Sequence, residues 1–458
     1  VDLKKRLHQL ILTSNDNIEL EENLLRMLNE FCCEVVAEVL EDHDTYLMQD
    51  MQQKGYKCER KDTRNIQFLF GNVCFKRRLW KKNKESVYPL DETLGFMKYV
   101  RYSPLVMMKA SLLATQNTYQ NSAEAIQTLT TLSISDTGVR NIVLRSAEIV
   151  EEYMIYQEDY EVPEKKEVPV LYIEGDGLML SSQKQTKMTL HRFQLHEGTR
   201  KSGSRSECIN RIQFADFSYQ IAYNRFFNYL HRHYDLKNTV VITNSDGGSG
   251  YSPEVFAELA LGCKQHEHFI DAYHVNRKLI ERMFYCMELI QPMKKAIRMH
   301  SEEALIPVFD TMESLVSDGA ADEMEHLRLL KGYVSRNWQF MRPFYLRQLS
   351  ASRSGIGVCE SNHRPFSYRM KRQGRSWGKI GGNAIAHLID ARKNDSLREA
   401  LSNAWKRQVT IVQALVDTRL VQKLLGYEFQ MHTGAVEGKI SNYGSSASSL
   451  GRIRKALS

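Results

Sequence analysis

The sequence predicts an α/β core with a helical insertion, preceded by a mainly helical region that carries basic charge. Three observations lead there. Between 168 and 274, strand-like and helix-like runs follow in the order β-β-β-α-β-α-β. From Val275 to Leu349 the apolar spacing is helical throughout. Ahead of residue 160 the pattern is helical again, apart from one basic stretch that alternates like a hairpin.

At 458 residues the chain is longer than one compact domain usually is, and 42% hydrophobic with 26% charged residues is ordinary globular composition. No apolar run is long enough for a membrane helix, and the first dozen residues lack a signal core. A cytoplasmic protein is expected. Eight cysteines without a C-x-x-C pair argue against a zinc ribbon or a redox motif, and Cys32 and Cys33 read as buried, reduced thiols. The net charge of +7 is unevenly placed. Between Lys54 and Lys84, eleven Lys and Arg face two acids. Between Ser361 and Ile389, Arg364, Arg369, Lys371, Arg372, Arg375 and Lys379 stand with no acid at all. Two concentrated basic stretches on a near-average chain point to a polyanion, although any single one could be a solvated face.

In chain order, residues 1–55 form a helical segment, with Leu24, Leu28, Phe31, Val35 and Val39 at helical spacing. Residues 56–88 form a basic β-hairpin turning at Gly71-Asn72, either a ribbon along a phosphate backbone or a dimerisation arm. Residues 89–160 hold three helices, opening at Ser103-Pro104, at Asn121 or Ser122, and at Ser135-Asp136. That spacing suits a helix-turn-helix whose last helix presents Arg140 and Arg145 to DNA, and equally any small three-helix bundle. Strands are expected over 168–180, 187–196, 208–217, 239–243 and 268–272, with helices over 221–236 and 253–261. This is the element order of the ribonuclease-H-like fold. Residues 275–350 would be its helical insertion, 355–430 the end of the core, and 433–458 a flexible basic tail.

Acidic residues stand at strand ends beside glycines: Glu174 and Asp176 in Glu-Gly-Asp-Gly, and Asp246 in Ser-Asp-Gly-Gly. Glu360 follows the insertion. A carboxylate is costly to bury unless a cation or partner compensates it, so a cluster of acids at a sheet end suits divalent metal. Bland readings exist for each. Asp-Gly is a common turn, Glu360 can pair with Arg364 one turn on, and Glu174 shares a strand face with Asp176, so the pattern leaves open which of the two acts.

Several blocks carry a resemblance. Tyr-Ile-Glu-Gly-Asp-Gly (172–177), Thr-Asn-Ser-Asp-Gly (243–247), Asp-Ala-Tyr-His (271–274) and Gly-Ile-Gly-Val-Cys-Glu-Ser-Asn-His (355–363) resemble the ISLre-type bacterial insertion-sequence transposases. So do Tyr-Arg-Met-Lys-Arg-Gln-Gly-Arg-Ser-Trp (368–377) and Tyr-Pro-Leu-Asp-Glu-Thr-Leu-Gly (88–95). That group was formerly an uncharacterised family and is related to Mutator-like transposases. The resemblance covers most of the chain from about residue 55 and implies a DDE triad at Asp176, Asp246 and Glu360. It implies two Mg²⁺ ions, with Mn²⁺ able to substitute, and a supporting role for Asp271 and His274. The expected activity is cleavage at insertion-sequence ends and strand transfer into target DNA. The expected partner is double-stranded DNA, terminal inverted repeats and target alike, bound by a homodimer or higher oligomer near the bacterial nucleoid. Arg77, Arg78 and Lys81 of the hairpin, Arg140 and Arg145, and Arg369, Lys371, Arg372 and Arg375 are the expected DNA contacts. Two other readings compete: a non-catalytic DNA-binding derivative, and a nuclease that cuts without joining.

Overall fold

The computed structural model describes residues 3–404 except 160–163, 185, 204, 318, 350 and 373, and leaves a few further side chains, including those of Glu360 and Ser361, undescribed. The expected tail (433–458), and the expected core beyond 404, lie outside the described residues. The described residues form two compact units: one from 3–157 with 396–404, the other from 158–395.

The first unit begins with α1 (Leu3–Thr13), α2 (Asn17–Tyr46) and α3 (Met48–Gln53). Asp16 caps α2 by accepting from the Glu19 amide. β1 (Lys57–Phe68) and β2 (Gly71–Lys82) pair antiparallel, and β3 (Glu85–Val87) adds a third strand. The hairpin turns two residues earlier than expected: Phe68 pairs with Gly71, so Leu69-Phe70 is the loop. Gly71 instead gives α2 room, because a Cβ there would lie 2.6 Å from Cys33 Sγ. Cys33 is half-buried at this contact, whereas Cys32 is exposed, contrary to expectation. Ile66, Val73, Phe75, Leu47 and Leu90 form the core between hairpin and helices.

α4 (Pro89–Thr93) leads to the three expected helices, α5 (Pro104–Ala114), α6 (Tyr119–Leu129) and α7 (Asp136–Asp159). Ser103 caps α5 as expected. Thr118, and not Asn121 or Ser122, caps α6. The Ser135 hydroxyl accepts from the Gly138 amide at 3.1 Å at the start of α7.

The second unit is a mixed sheet with helices on it. β4 (Lys166–Glu167) pairs with β10 (Tyr234–Asp235), and β7 (Thr199–Ser202) with β8 (Arg205–Cys208), as two small ribbons. The main sheet runs β12-β11-β5-β6-β9, where β5 is Val170–Ser182, β6 Lys187–His196, β9 Ile212–Asp216, β11 Val240–Ser245 and β12 Gln265–Ile270. β6 pairs antiparallel with β5 on one side and β9 on the other, while β11 and β12 extend β5 in parallel. α8 (Tyr219–His233) and α9 (Pro253–Leu259) supply Phe226, Leu230 and Phe256 to the core with Leu171, Ile173, Phe193 and Val241. Odd-numbered residues of β5 thus face these helices, and Tyr172, Glu174 and Asp176 face the other way.

The expected helical stretch is present as α10 (Ala272–Arg282), α11 (Ile290–Met299), α12 (Glu302–Ser314) and α13 (Ala321–Asn337), with short 3₁₀ turns and no strand among the described residues. Leu279, Met283, Met293, Met312 and Leu330 give it a core of its own. The chain returns through a loop to α14 (Cys359–Asn362), α15 (Arg364–Phe366), β13 (Ser376–Trp377, on β5) and α16 (Lys379–Lys393). Pro365 in the first turn of α15 separates it from α14. Among the described residues, no helix is long and apolar enough to cross a membrane.

Candidate metal and nucleic-acid sites

β11 lies beside β5 with Asn244 opposite Glu174, an offset of 70 residues. The same 70 residues separate Asp176, two residues further along β5, from Asp246, which follows the last residue of β11, Ser245. Gly175 and Gly177 are required on the opposite face. A Cβ at 175 would lie 2.9 Å from the Tyr251 ring, and one at 177 would lie 2.9 Å from Thr189 Cγ2. The Glu-Gly-Asp-Gly pattern therefore puts carboxylates on one face and bare backbone under packed side chains on the other.

The structure separates Glu174 from Asp176. Glu174 is 1% exposed. Its Oε1 accepts from the amides of Gly357 at 2.6 Å and Val358 at 3.2 Å and from Asn244 Nδ2 at 3.4 Å; its Oε2 accepts from Gln194 Nε2 at 2.8 Å. Burial pushes this carboxyl up to about 7, against the donors that favour its charge. Asp176 is less enclosed. One oxygen accepts from the Gly177 amide at 2.7 Å and the other bonds to His363 Nε2 at 2.8 Å. Burial alone would raise Asp176, but the hydrogen bond from His363, with His274 nearby, holds it below the usual carboxylate range.

His363 is a site residue to which sequence reasoning assigned no role. Arg192, fully buried, approaches His363 Nδ1 at 2.8 Å. A guanidinium only donates, so Nδ1 is the acceptor and Nε2 carries the proton given to Asp176. Gln194 and Gln213 accept from the same guanidinium at 3.3 Å each, and its carbon lies 4.7 Å from the centre of the Phe366 ring. No sequence signal separates Arg192 from a surface arginine on a strand. Only its pairing with Asp176 across β5–β6 does so.

Asp246 and Asp271 lie near each other: burial above all, then both of these carboxylates, push the Tyr333 phenol up. Asp246 also serves its own turn, accepting from the Gly248 amide at 2.8 Å. Asp271 caps α10 by accepting from the His274 amide at 3.0 Å, and its other oxygen accepts from Asn244 Nδ2 at 3.3 Å. The Asp-x-x-His spacing is thus a helix cap that also sets His274 near Asp176. Glu360 lies on the short helix α14, next to the loop held by Glu174. Its side chain is outside the described residues, and among those described no group of three or more His, Cys, Asp or Glu is arranged to hold a metal.

The expected DNA contacts divide. Arg77 is turned inward, ion-paired with Asp91 and stacked 3.7 Å above the centre of the Tyr88 ring; burial, with Arg64 beside it, pushes it down to about 10. Arg78 is buried against Asp44 on α2. Arg369 is fully buried, 5.0 Å over the Trp377 ring. These three are corrections, because a guanidinium enclosed by protein cannot lie on a phosphate. Lys81 is exposed and 3.5 Å from Glu59. Arg140, Lys371 and Arg372 are exposed, and Arg375 is half-buried. Arg145 is half-buried and paired with Glu148 at 2.9 Å. The hairpin's outward cations also include Lys57, Lys61, Lys76, Lys82 and Lys84.

The chain is similar, with 34% identity over 91% of its length and 92% of the relative's, to the UPF0236 protein in the vanSb 3′ region of Streptococcus gallolyticus. It is 22% identical, over 83% of its length and 79% of the relative's, to a UPF0236 protein of Caldanaerobacter subterraneus subsp. tengcongensis whose name joins eleven locus designations. A second protein of that strain, named with four loci, is 22% identical over 80% of this chain and 75% of its own. The family model described as an uncharacterised protein family, UPF0236, matches residues 14–408, and the chain belongs to that family.

Proposed function

We propose that the protein is a DDE-type DNA transposase that cleaves the ends of an insertion sequence and joins them to target DNA, with Asp176, Asp246 and Glu360 as its metal ligands. The observation that carries this reading is the parallel pairing of β5, which bears Asp176, with β11, which ends just before Asp246, with Asp271 and His274 beside them. Strand order supports a ribonuclease-H-like core: three antiparallel strands, then two parallel additions on the side of the first. Relatives whose names join eleven and four loci of one strain fit a sequence that multiplies within a genome.

The donor set suits Mg²⁺, because it consists of hard carboxylate oxygens beside the point where β11 ends. Bound by Asp176, Asp246 and Glu360, two such ions would activate water or a DNA 3′-hydroxyl and stabilise the departing oxygen. The protein's own part is orientation. Arg192 fixes the His363 tautomer, and His363 fixes the Asp176 carboxylate through Oδ2. Asn244 spans Glu174 and Asp271, tying β5 to the start of α10. Outward lysines of the hairpin, with Lys371 and Arg372, supply the charge that would hold phosphates.

Incubating purified protein with linear DNA that carries the element's own ends, with and without Mg²⁺, tests the reading. Metal-dependent nicking at the ends followed by joined products is expected. Binding without cleavage in Mg²⁺ or Mn²⁺ would favour a non-catalytic DNA-binding protein, and cleavage without joining a nuclease.

A further inference from the structure

We propose that Glu174 is a positioning residue: by holding the amides of Gly357 and Val358 it fixes the chain entering α14 and so places Glu360, without touching metal itself. This rests on the reading of the metal site above. A carboxylate offers about four lone-pair directions, and Glu174 meets four donors. Gly357, at φ +78°, is in the left-handed region, and this turn delivers two consecutive N–H groups to one oxygen. Downstream of Glu360, Asn362 Nδ2 donates to Gln194 Oε1 at 3.2 Å and His363 bonds Asp176. Glu360 is therefore bracketed: residues 357 and 358 rest on Glu174, 362 on Gln194, and 363 on Asp176. All three anchors are neighbours on the paired strands β5 and β6, Glu174 lying opposite Gln194.

Glu174→Gln is diagnostic because it is isosteric. Its new amide cannot accept from Gln194, and Gln194 cannot turn its own amide round, since its Oε1 already accepts from Arg192 and Asn362. In one orientation the new side chain keeps its oxygen on Gly357, Val358 and Asn244, which already share Oε1, and sets its NH2 against the Gln194 NH2; in the other its NH2 faces the two backbone N–H groups, so either way donor meets donor behind the loop.

The test uses full-length protein without DNA: calorimetric Mn²⁺ titration of wild type, E174Q, E360Q and the double variant, with hydrogen exchange across 355–363. E174Q should speed exchange at 357 and 358 and weaken Mn²⁺ binding by about 10–100-fold, as removing a partner behind a ligand commonly does. The double variant should bind no more weakly than E360Q, because Glu174 acts only through Glu360. Should E174Q be poorly folded, Gly357→Ala strains the same turn without changing the carboxylate, and the same drop in Mn²⁺ affinity is expected. Unchanged exchange or wild-type Mn²⁺ affinity in E174Q would overturn the proposal, as would effects that multiply in the double variant. If D176N and E360Q bind Mn²⁺ like wild type, the metal reading itself falls; faster exchange at 357 and 358 in E174Q would then mark that failure as distinct from a failure of the clamp.

Discussion

Three carboxylates are expected to carry the chemistry, and one substitution at each separates charge from shape. Asp176→Asn, Asp246→Asn and Glu360→Gln keep side-chain size but remove the anion that would hold Mg²⁺ on the proposed reading, so end cleavage and joining should drop to background while gel-shift affinity for DNA stays near wild type. Cleavage that survives all three would remove the DDE assignment. Asp91 makes a different kind of test. It serves two buried guanidiniums, Arg64 and Arg77. Asp91→Ala leaves both uncompensated in a largely enclosed site, and urea unfolding should record a destabilisation of about 3–5 kcal/mol. Asp390 gives a pH signature. It is buried, accepts from Gln213 Nε2 at 2.8 Å and the Ala215 amide at 2.6 Å, and is pushed up to about 7 by burial. The folded protein therefore holds this proton where the unfolded chain has released it. Its contribution is complete below pH 3.8 and is lost as pH rises towards 7. Stability of wild type relative to Asp390→Asn should fall by ~4 kcal/mol across that window, at about 1.36 kcal/mol per pH unit. A pH-independent difference between the two unfolding series would mean that Asp390 is charged in the fold.

At the scale of elements, the loop 352–358 is tied to β5 and β6 by hydrogen bonds along its length. Tyr172 Oη accepts from the Ser352 amide at 2.9 Å and donates to the Ser352 carbonyl at 2.7 Å, while its ring stacks on His196 at 4.9 Å. His196 Nε2 reaches the Gly355 carbonyl at 3.1 Å. A Cβ on Gly355 would run into the Tyr172 ring, which has nowhere to go. Gly355→Ala should cost about 1–3 kcal/mol and lower cleavage along with stability, by thermal melts and end-cleavage rates. Wild-type behaviour would mean that the loop gives way freely. Strand and helix order in the second unit was legible because buried strands alternate with amphipathic helices there, and the 70-residue spacing of Asp176 and Asp246 already held the strand register. The inward turn of Arg77 was legible too: it has the parity of Val73 and Phe75 on β2. Arg78 has the opposite parity and is buried only because α2 brings Asp44 over it, a contact 34 residues away that no local pattern encodes. Arg192 and His363 were illegible for the same reason, since their meeting spans 171 residues.

On the scale of the whole molecule, the net charge of +7 matters less than where the cations point. The hairpin stretch carries eleven bases, but Arg64, Arg77 and Arg78 are turned inside the first unit. On the proposed reading, phosphate binding would fall to lysines that remain outward, chiefly Lys57, Lys61, Lys76 and Lys81. Replacing these four with Gln should weaken DNA binding at every sequence alike and flatten the dependence of log affinity on log salt by about 0.9 for each phosphate no longer neutralised. Mn²⁺ binding by the free protein should be unchanged, because the carboxylates belong to the other unit. Arg77→Gln should behave in the opposite sense, lowering the melting temperature while leaving the salt slope of the folded protein as it was. Gel-shift titrations from low to moderate salt, paired with melting curves, read both quantities on one set of proteins. If the four-lysine variant kept its affinity and salt slope, the hairpin would have no part in holding DNA. If Arg77→Gln flattened the slope without lowering stability, its guanidinium would have to leave Asp91 for a phosphate when DNA binds.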